Sequence, residues 1–178
     1  METTKTFESY PLRIVVLSNL SSFTIYFFGL FITYRLAWFV SAIYLIYILS
    51  LEYRLLSRHC VNCYYWGKTC GFGRGVLSSL LFKKGYSSEF CNKEMTWKAM
   101  IPDLLISLIP LVTGIVLLII KFDFLLLFAM VIIIALTTTG NGYIRGSLTC
   151  NFCRQRELGC PAHQLFNKES GISNDQKA

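Results

Sequence analysis

Four long apolar runs without a charged side chain constrain this chain more than any other feature. They cover residues 14–33, 36–50, 104–120 and 124–142. A helix needs about 20 apolar residues to cross the hydrocarbon layer of a bilayer, and a charge at its centre costs about 2.5–3.5 kcal/mol. The sequence therefore predicts an all-α integral membrane protein with a four-helix transmembrane bundle. We expect the helices at about residues 12–33, 37–56, 101–120 and 123–142.

The basic residues are concentrated on one side of this predicted bundle. Of the 17 Lys and Arg residues, 15 lie in the N-terminal tail, in residues 52–103 or after Gly142. The other two, Arg35 and Lys121, lie in the tight turns of the two hairpins. Because basic residues accumulate in cytoplasmic loops, we expect both termini and the central loop in the cytoplasm. Topology and attraction to anionic lipid then account for the net charge of +7, and we expect no nucleic-acid partner.

The segments that follow the two hairpins share one cysteine pattern. Each contains C-x2-C-x6-C, with a Tyr seven residues before the first Cys. The matching residues are Tyr53, Cys60, Cys63 and Cys70 in the first segment, and Tyr143, Cys150, Cys153 and Cys160 in the second. This spacing takes in six of the seven cysteines. It predicts two parallel hairpin repeats, each followed by a cytoplasmic Cys motif on the same face of the membrane.

The predicted organisation of the chain follows from this repeat. The first repeat covers residues 1–100, with the Cys motif at 60–70 and an interfacial helix at 76–84; the second covers residues 101–166, with the Cys motif at 150–160; a disordered tail covers residues 167–178. Three glycines between the first motif and the interfacial helix, Gly71, Gly73 and Gly75, are interpreted as a flexible hinge.

The cysteines are interpreted as metal ligands. Disulfides are disfavoured because the motifs are expected in a reducing compartment, and packing as ordinary buried thiols would leave the repeated spacing unexplained. Thiolates at this density select zinc or an iron–sulfur cluster, and we favour zinc over [4Fe–4S]. Structural zinc takes four ligands, and each motif supplies three. Either Cys91 completes the first site and His163 the second, or the two motifs share their thiolates.

The second alternative has a parallel in a known family. The pair of C-x2-C-x6-C motifs is similar to the cysteine spacing of the fungal binuclear zinc-cluster DNA-binding domains, over two segments of 11 residues. The run from Cys153 to Arg156 also resembles the basic run of that family. The resemblance implies that Cys60 and Cys150 bridge two zinc ions. Residues 71–149, with two membrane spans, separate the motifs where the family has a short loop, so only the metal geometry is carried over.

Three functions remain open at this point. The favoured one is a non-catalytic membrane protein in which structural zinc organises a surface for lipid or for a cytoplasmic protein partner. The second is an iron–sulfur membrane subunit that transfers electrons, and the third is transport or sensing of a soft metal. The chain has two His residues and no G-x-S-x-G motif, so whether it is an enzyme is uncertain and we lean against it.

Overall fold

The computed structural model describes residues 6–86, 90, 97–140, 142–158 and 160, with residues 97–100 as backbone alone. In these residues the chain is helical, and four helices are long and apolar enough to span a membrane. The helices are α1 (Leu12–Leu36), α2 (Trp38–Arg58), α3 (Arg74–Leu81), α4 (Trp97–Ile120) and α5 (Phe124–Ala135). The predicted all-α class with four candidate membrane spans is confirmed.

The outer surface of the bundle is apolar. Only 11–24% of the most apolar window of each long helix is buried inside the protein. Large side chains such as Phe23, Ile46 and Ile119 are exposed. A soluble monomer rarely exposes a contiguous apolar surface of this extent, so the four helices are compatible with direct contact with lipid.

Helix α1 is the centre of the bundle, because it contacts α2, α4 and α5. Ile32 of α1 packs in a buried cluster with residues of α5, among them Ala129 and Ile133. Helices α4 and α5 approach closely at Gly114, where an added Cβ would lie 2.5 Å from the sulfur of Met130. Close backbone approach at small residues is a common basis of helix packing in membranes, where lipid is as apolar as the side chains.

A buried tyrosine of α2 completes the backbone of α4. Pro110 has no N–H and leaves the carbonyl of Ile106, four residues earlier, without its helical partner. The hydroxyl of Tyr44 donates a hydrogen bond to that carbonyl at 2.6 Å. Gly29 of α1 makes room for the tyrosine ring, since a Cβ there would lie 2.6 Å from the hydroxyl oxygen. This hydrogen bond therefore joins α2 to α4, and Gly29 of α1 leaves the space for it.

The two ends of the bundle differ. At one end, Arg35 and Asp123 form an ion pair between the turns of the two hairpins. Asp123 also caps α5 by accepting the N–H of Leu125 at 2.9 Å. At the other end, residues 6–11, 59–73 and 150–158 pack together with α3, and we call this unit the head.

The fourth span departs from the single α-helix that the apolar run predicts. After Ala135 the chain is π-helical over Leu136–Gly140 and again over Tyr143–Thr149. The Thr138 hydroxyl bonds to the carbonyl of Ile134 at 2.7 Å, and the Thr149 hydroxyl bonds to that of Ile144 at 2.9 Å. These side chains compete for the carbonyls of the preceding turn, which hydropathy does not register.

The other helices begin and end within a few residues of the positions predicted from the sequence. Helix α1 ends at Leu36, three residues after its predicted end, and α4 begins at Trp97, four residues before its predicted start. A helix, α3, lies where one was predicted at 76–84, but it begins at Arg74, after Gly73 with φ of 70°, and ends at Leu81. Its place at the membrane interface stays a prediction. The predicted tail at 167–178 lies outside the described residues.

Candidate metal centre

The first cysteine motif begins with a tight turn directly after α2. Cys60–Asn62 form one turn of 3-10 helix, and the N–H of Cys63 bonds to the carbonyl of Cys60 at 3.3 Å. The N–H of Trp66 then bonds to the carbonyl of Cys63 at 3.1 Å. These two bonds fold the backbone around the first two cysteines of the motif.

The second motif makes the corresponding turn after the π-helical end of the fourth span. Cys150–Phe152 form a 3-10 turn, and the N–H of Cys153 bonds to the carbonyl of Cys150 at 3.3 Å. The N–H of Arg156 bonds to the carbonyl of Cys153 at 3.1 Å. The hydrogen bonds and their lengths match those of the first motif position for position.

The two motifs dock against each other through a reciprocal pair of hydrogen bonds. The backbone N–H of Tyr64 donates to the side-chain oxygen of Gln155 at 2.8 Å. The backbone N–H of Arg154 donates to the hydroxyl of Tyr65 at 3.0 Å. Tyr64 and Arg154 each follow the second cysteine of their motif, and Tyr65 and Gln155 come next. The same donor position therefore meets the same acceptor position in both directions, as in an isologous interface.

The N-terminal segment passes over this contact. Phe7 pairs with Cys153 in an isolated parallel bridge, and its carbonyl accepts the Tyr65 hydroxyl at 2.6 Å. Tyr10 is 5% exposed; its N–H donates to Thr69 at 2.9 Å and its hydroxyl donates to the carbonyl of Thr149. Phe7 thus contacts residues of both motifs, and Tyr10 joins the first motif to the residue that precedes the second.

The second cysteine of the first motif lies among other thiols. Burial, together with the neighbouring thiols of Cys153, Cys60 and Cys70, raises the pKa of Cys63 to about 12. The backbone N–H of Tyr65 acts in the opposite sense, because it hydrogen-bonds the sulfur and favours the thiolate. A metal-free Cys63 is therefore a protonated thiol with one backbone donor already directed at it.

Cys153 occupies the same surroundings in the second motif. Burial raises the pKa of its thiol, and Cys160 and Cys150 raise it as well. The backbone N–H groups of Gln155 and Arg156 hydrogen-bond the sulfur and lower the pKa. Across the docked motifs, Cys153 is also one of the groups that raise the pKa of Cys63.

The structure does not assemble a complete set of metal ligands. Within the residues described, no group of three or more His, Cys, Asp and Glu side chains is arranged to hold a metal ion. The six motif cysteines are half-buried free thiols. Cys91 and His163, the expected additional ligands, lie outside the described residues. Metal binding by either motif, and bridging by Cys60 and Cys150, therefore stay predictions.

Sequence reasoning missed a polar cluster between the head and the bundle. The carboxylate of Glu52 in α2 receives two hydrogen bonds from Arg74 at the start of α3, one of them from Nε at 2.8 Å. It also accepts the hydroxyl of Tyr26 in α1 at 2.6 Å. The Arg74 and Glu52 side chains are 16% and 26% exposed. This cluster fixes α3 to the ends of two spans.

The docking residues were missed as well. Tyr65 and Gln155 carry no recognisable motif, and their only signal is that they occupy the same place in two matching cysteine patterns. Comparison of the chain with protein-family models, with curated proteins and with solved structures gives no match. The function is therefore inferred from the geometry of the head.

Proposed function

We propose that this chain is a non-catalytic membrane protein whose two cysteine motifs bind structural zinc at the cytosolic end of a four-helix bundle. The two hairpins are taken as copies of one repeat, and the metal holds their motifs together as a single rigid head. The head then presents its surface to lipid or to a cytosolic protein.

One observation carries this proposal: the reciprocal docking of the two motifs through Tyr64 with Gln155 and Arg154 with Tyr65. Matching turns place equivalent cysteines on both sides of this contact. Buried thiols with backbone N–H donors are suited to become thiolates once a cation is present, because the donors stabilise the charge that the metal requires.

A structural role suits a head of this size better than a catalytic one. The head is built mainly from turns, with one short helix, and a small unit of this kind gains order from a metal staple. The motif thiols supply six of the ligands, and Cys91 and His163 are the candidates to complete two tetrahedral sites.

The test is elemental analysis of the full chain purified without oxygen. We expect about two zinc ions per chain if each motif forms its own four-ligand site. In that case Cys63→Ser lowers the zinc content by about half, and Cys153→Ser does the same. If the motifs share their thiolates, either substitution removes most of the zinc. Ser79→Cys, which adds a thiol outside both motifs, is the matched control and leaves the zinc content unchanged.

The iron–sulfur alternative is separated by the same preparation. If the purified protein is brown and contains iron and inorganic sulfide, the motifs bind an iron–sulfur cluster instead of zinc. Electron transfer would then be the favoured function. Protein that contains neither metal, and that neither binds added zinc nor becomes more stable in its presence, would overturn metal binding altogether.

A further inference from the structure

Helix α3 exposes an apolar face beside the end of a membrane span. Val76, Leu77, Leu80 and Leu81 are 40%, 46%, 76% and 61% exposed. They lie on one side of the helix, whereas Ser78 on the other side is fully buried and donates to the carbonyl of Leu56 at 3.2 Å. The helix therefore turns its apolar side away from the protein.

The depth of α3 is fixed by its contacts with α2. The ring of Phe82, just after α3, packs edge-on against Tyr53 with centroids 5.5 Å apart. Tyr53 belongs to α2 and is itself 63% exposed on the outer surface of the bundle. The apolar face of α3 consequently lies at the level where the span ends, which is the interface between acyl chains and headgroups.

Basic and aromatic groups stand next to this apolar face. A groove of about 390 Å³ is lined by Trp66, Leu80, Leu81, Phe82, Lys83 and Lys84, together with Ser79. Lys83 and Lys84 are exposed, and the described part of the chain places no carboxylate in an ion pair with either. The ammonium of Lys84 lies 6.0 Å from the centroid of the Trp66 ring.

Trp66 adds an unpaired donor to the same groove. Its indole Nε1 is buried and has no hydrogen-bond partner among the described residues. A buried N–H without an acceptor is unfavourable, and indole rings are enriched at headgroup depth, where they find one. The groove thus combines two exposed cations and an indole ring with an adjoining apolar wall.

We infer that this groove binds an anionic phospholipid of the cytosolic leaflet. The leucines of α3 contact the upper acyl chain, and the headgroup phosphate contacts Lys83 and Lys84 beside the Trp66 ring. A ligand with an anionic head and an apolar tail can contact both the lysines and the apolar face of α3. A soluble anion or an acidic peptide has no apolar tail for that face. The inference rests on the proposed function in one respect, that this end of the bundle faces the cytosol; it does not depend on the metal.

The experiment measures which lipid lies next to Trp66. The full chain carrying Trp38→Phe and Trp97→Phe, so that Trp66 is the remaining tryptophan, is placed in bilayers of phosphatidylcholine and phosphatidylserine. Either the serine lipid or the choline lipid carries bromine near the top of its acyl chain and quenches indole fluorescence. We expect a preference for brominated phosphatidylserine of at least about fivefold, which is the factor that one lysine contact with an anionic headgroup supplies.

Two charge-matched variants decide the outcome. Lys83→Gln with Lys84→Gln should abolish the preference, and Lys68→Gln with Lys121→Gln should preserve it, because Lys68 stacks on Tyr64 and Lys121 follows α4 at the other end of the bundle. Equal quenching by both lipids in the parent protein, or equal loss in both variants, would overturn the inference.

Metal analysis of the same samples separates this result from the proposed function. A zinc-containing protein without a lipid preference refutes the lipid site alone. A metal-free protein that retains the preference refutes the metal staple and supports the lipid site.

Discussion

The side-chain oxygen of Gln155 lies 2.8 Å from the backbone nitrogen of Tyr64 and accepts its N–H. Gln155 is only 2% exposed, so water does not replace this acceptor when it is removed. Gln155→Met keeps the volume of the side chain but leaves the Tyr64 N–H unpaired. We expect a loss of about 1–3 kcal/mol in the free energy of unfolding.

SDS titration of the purified protein measures this loss. The expected destabilisation is concentrated in the head. Relative to the parent protein, the variant should therefore show a larger increase in deuterium exchange at the amides of residues 60–70 than at those of α5. A variant as stable as the parent would mean that the docked motifs do not depend on this bond.

The other hydrogen bond between the two motifs is made by the hydroxyl of Tyr65. Tyr64, whose hydroxyl is more exposed, provides the matched control. The Tyr65 hydroxyl is buried, accepts the N–H of Arg154 at 3.0 Å and donates to the carbonyl of Phe7 at 2.6 Å. Burial raises its pKa to about 12, so the hydroxyl keeps the proton that it donates. The Tyr64 hydroxyl accepts only the exposed ammonium of Lys68, at 3.2 Å, among the contacts of the described chain.

Tyr65→Phe should therefore cost about 1–3 kcal/mol, because a half-buried N–H and a half-buried carbonyl both lose their partner. Tyr64→Phe removes the same atom from the surface and should change stability by about 0.5 kcal/mol or less. Melting temperatures of the two variants provide the comparison. Equal effects would show that the hydroxyl of Tyr65 does not hold the N-terminal segment and the motifs together.

The apolar runs made the four long apolar helices predictable, because a helix that can cross a bilayer needs a local and nearly uniform apolar signal along its length. The glycines after Cys70 show what such local patterns do not predict. A flexible hinge was expected, but a Cβ at Gly71 would lie 2.5 Å from Thr149, and one at Gly75 would lie 2.1 Å from the carbonyl oxygen of Tyr65. Close packing against partners that are distant in sequence, as at Gly71, has no local signature.

The candidate site was predictable to a similar degree. Its cysteines follow from their spacing, since the two patterns place their cysteines, and the Tyr before them, at the same intervals. The contact between the motifs does not, because Tyr65 and Gln155 differ in chemistry and are equivalent only as hydrogen-bond acceptors. The part played by Phe7 and Tyr10 was also invisible, since both precede the first span and resemble an ordinary tail.

A close approach between α1 and α2 gives a test inside the bundle. A Cβ at Gly29 would lie 2.6 Å from the hydroxyl of Tyr44, so Gly29→Ala must displace that ring from the carbonyl of Ile106. We expect a loss of about 1–3 kcal/mol from overpacking. Gly142→Ala is the matched control, because no atom lies within 4 Å of its added Cβ. Unfolding by steric trapping in bilayers should separate the two alanine variants.

The bond from Tyr44 to the carbonyl of Ile106 can be isolated by restoring the missing donor. Tyr44→Phe leaves this carbonyl without a partner among the apolar helices, because Pro110 supplies no N–H. Polar contacts between membrane helices are worth about 0.6 kcal/mol on average and about 1.7 at most, and we expect a loss toward the upper value.

In the Pro110→Ala background, the alanine N–H can bond to the carbonyl of Ile106, so the same Tyr44→Phe change should cost much less. Tyr47→Phe is the control within α2: its hydroxyl donates to the carbonyl of Pro102 at 2.7 Å, and that carbonyl still has the N–H of Ile106 available in the helix. A double-mutant cycle of unfolding free energies measures the coupling. If Tyr44→Phe costs the same with proline or alanine at position 110, the tyrosine stabilises the bundle by packing and not by completing the backbone of α4.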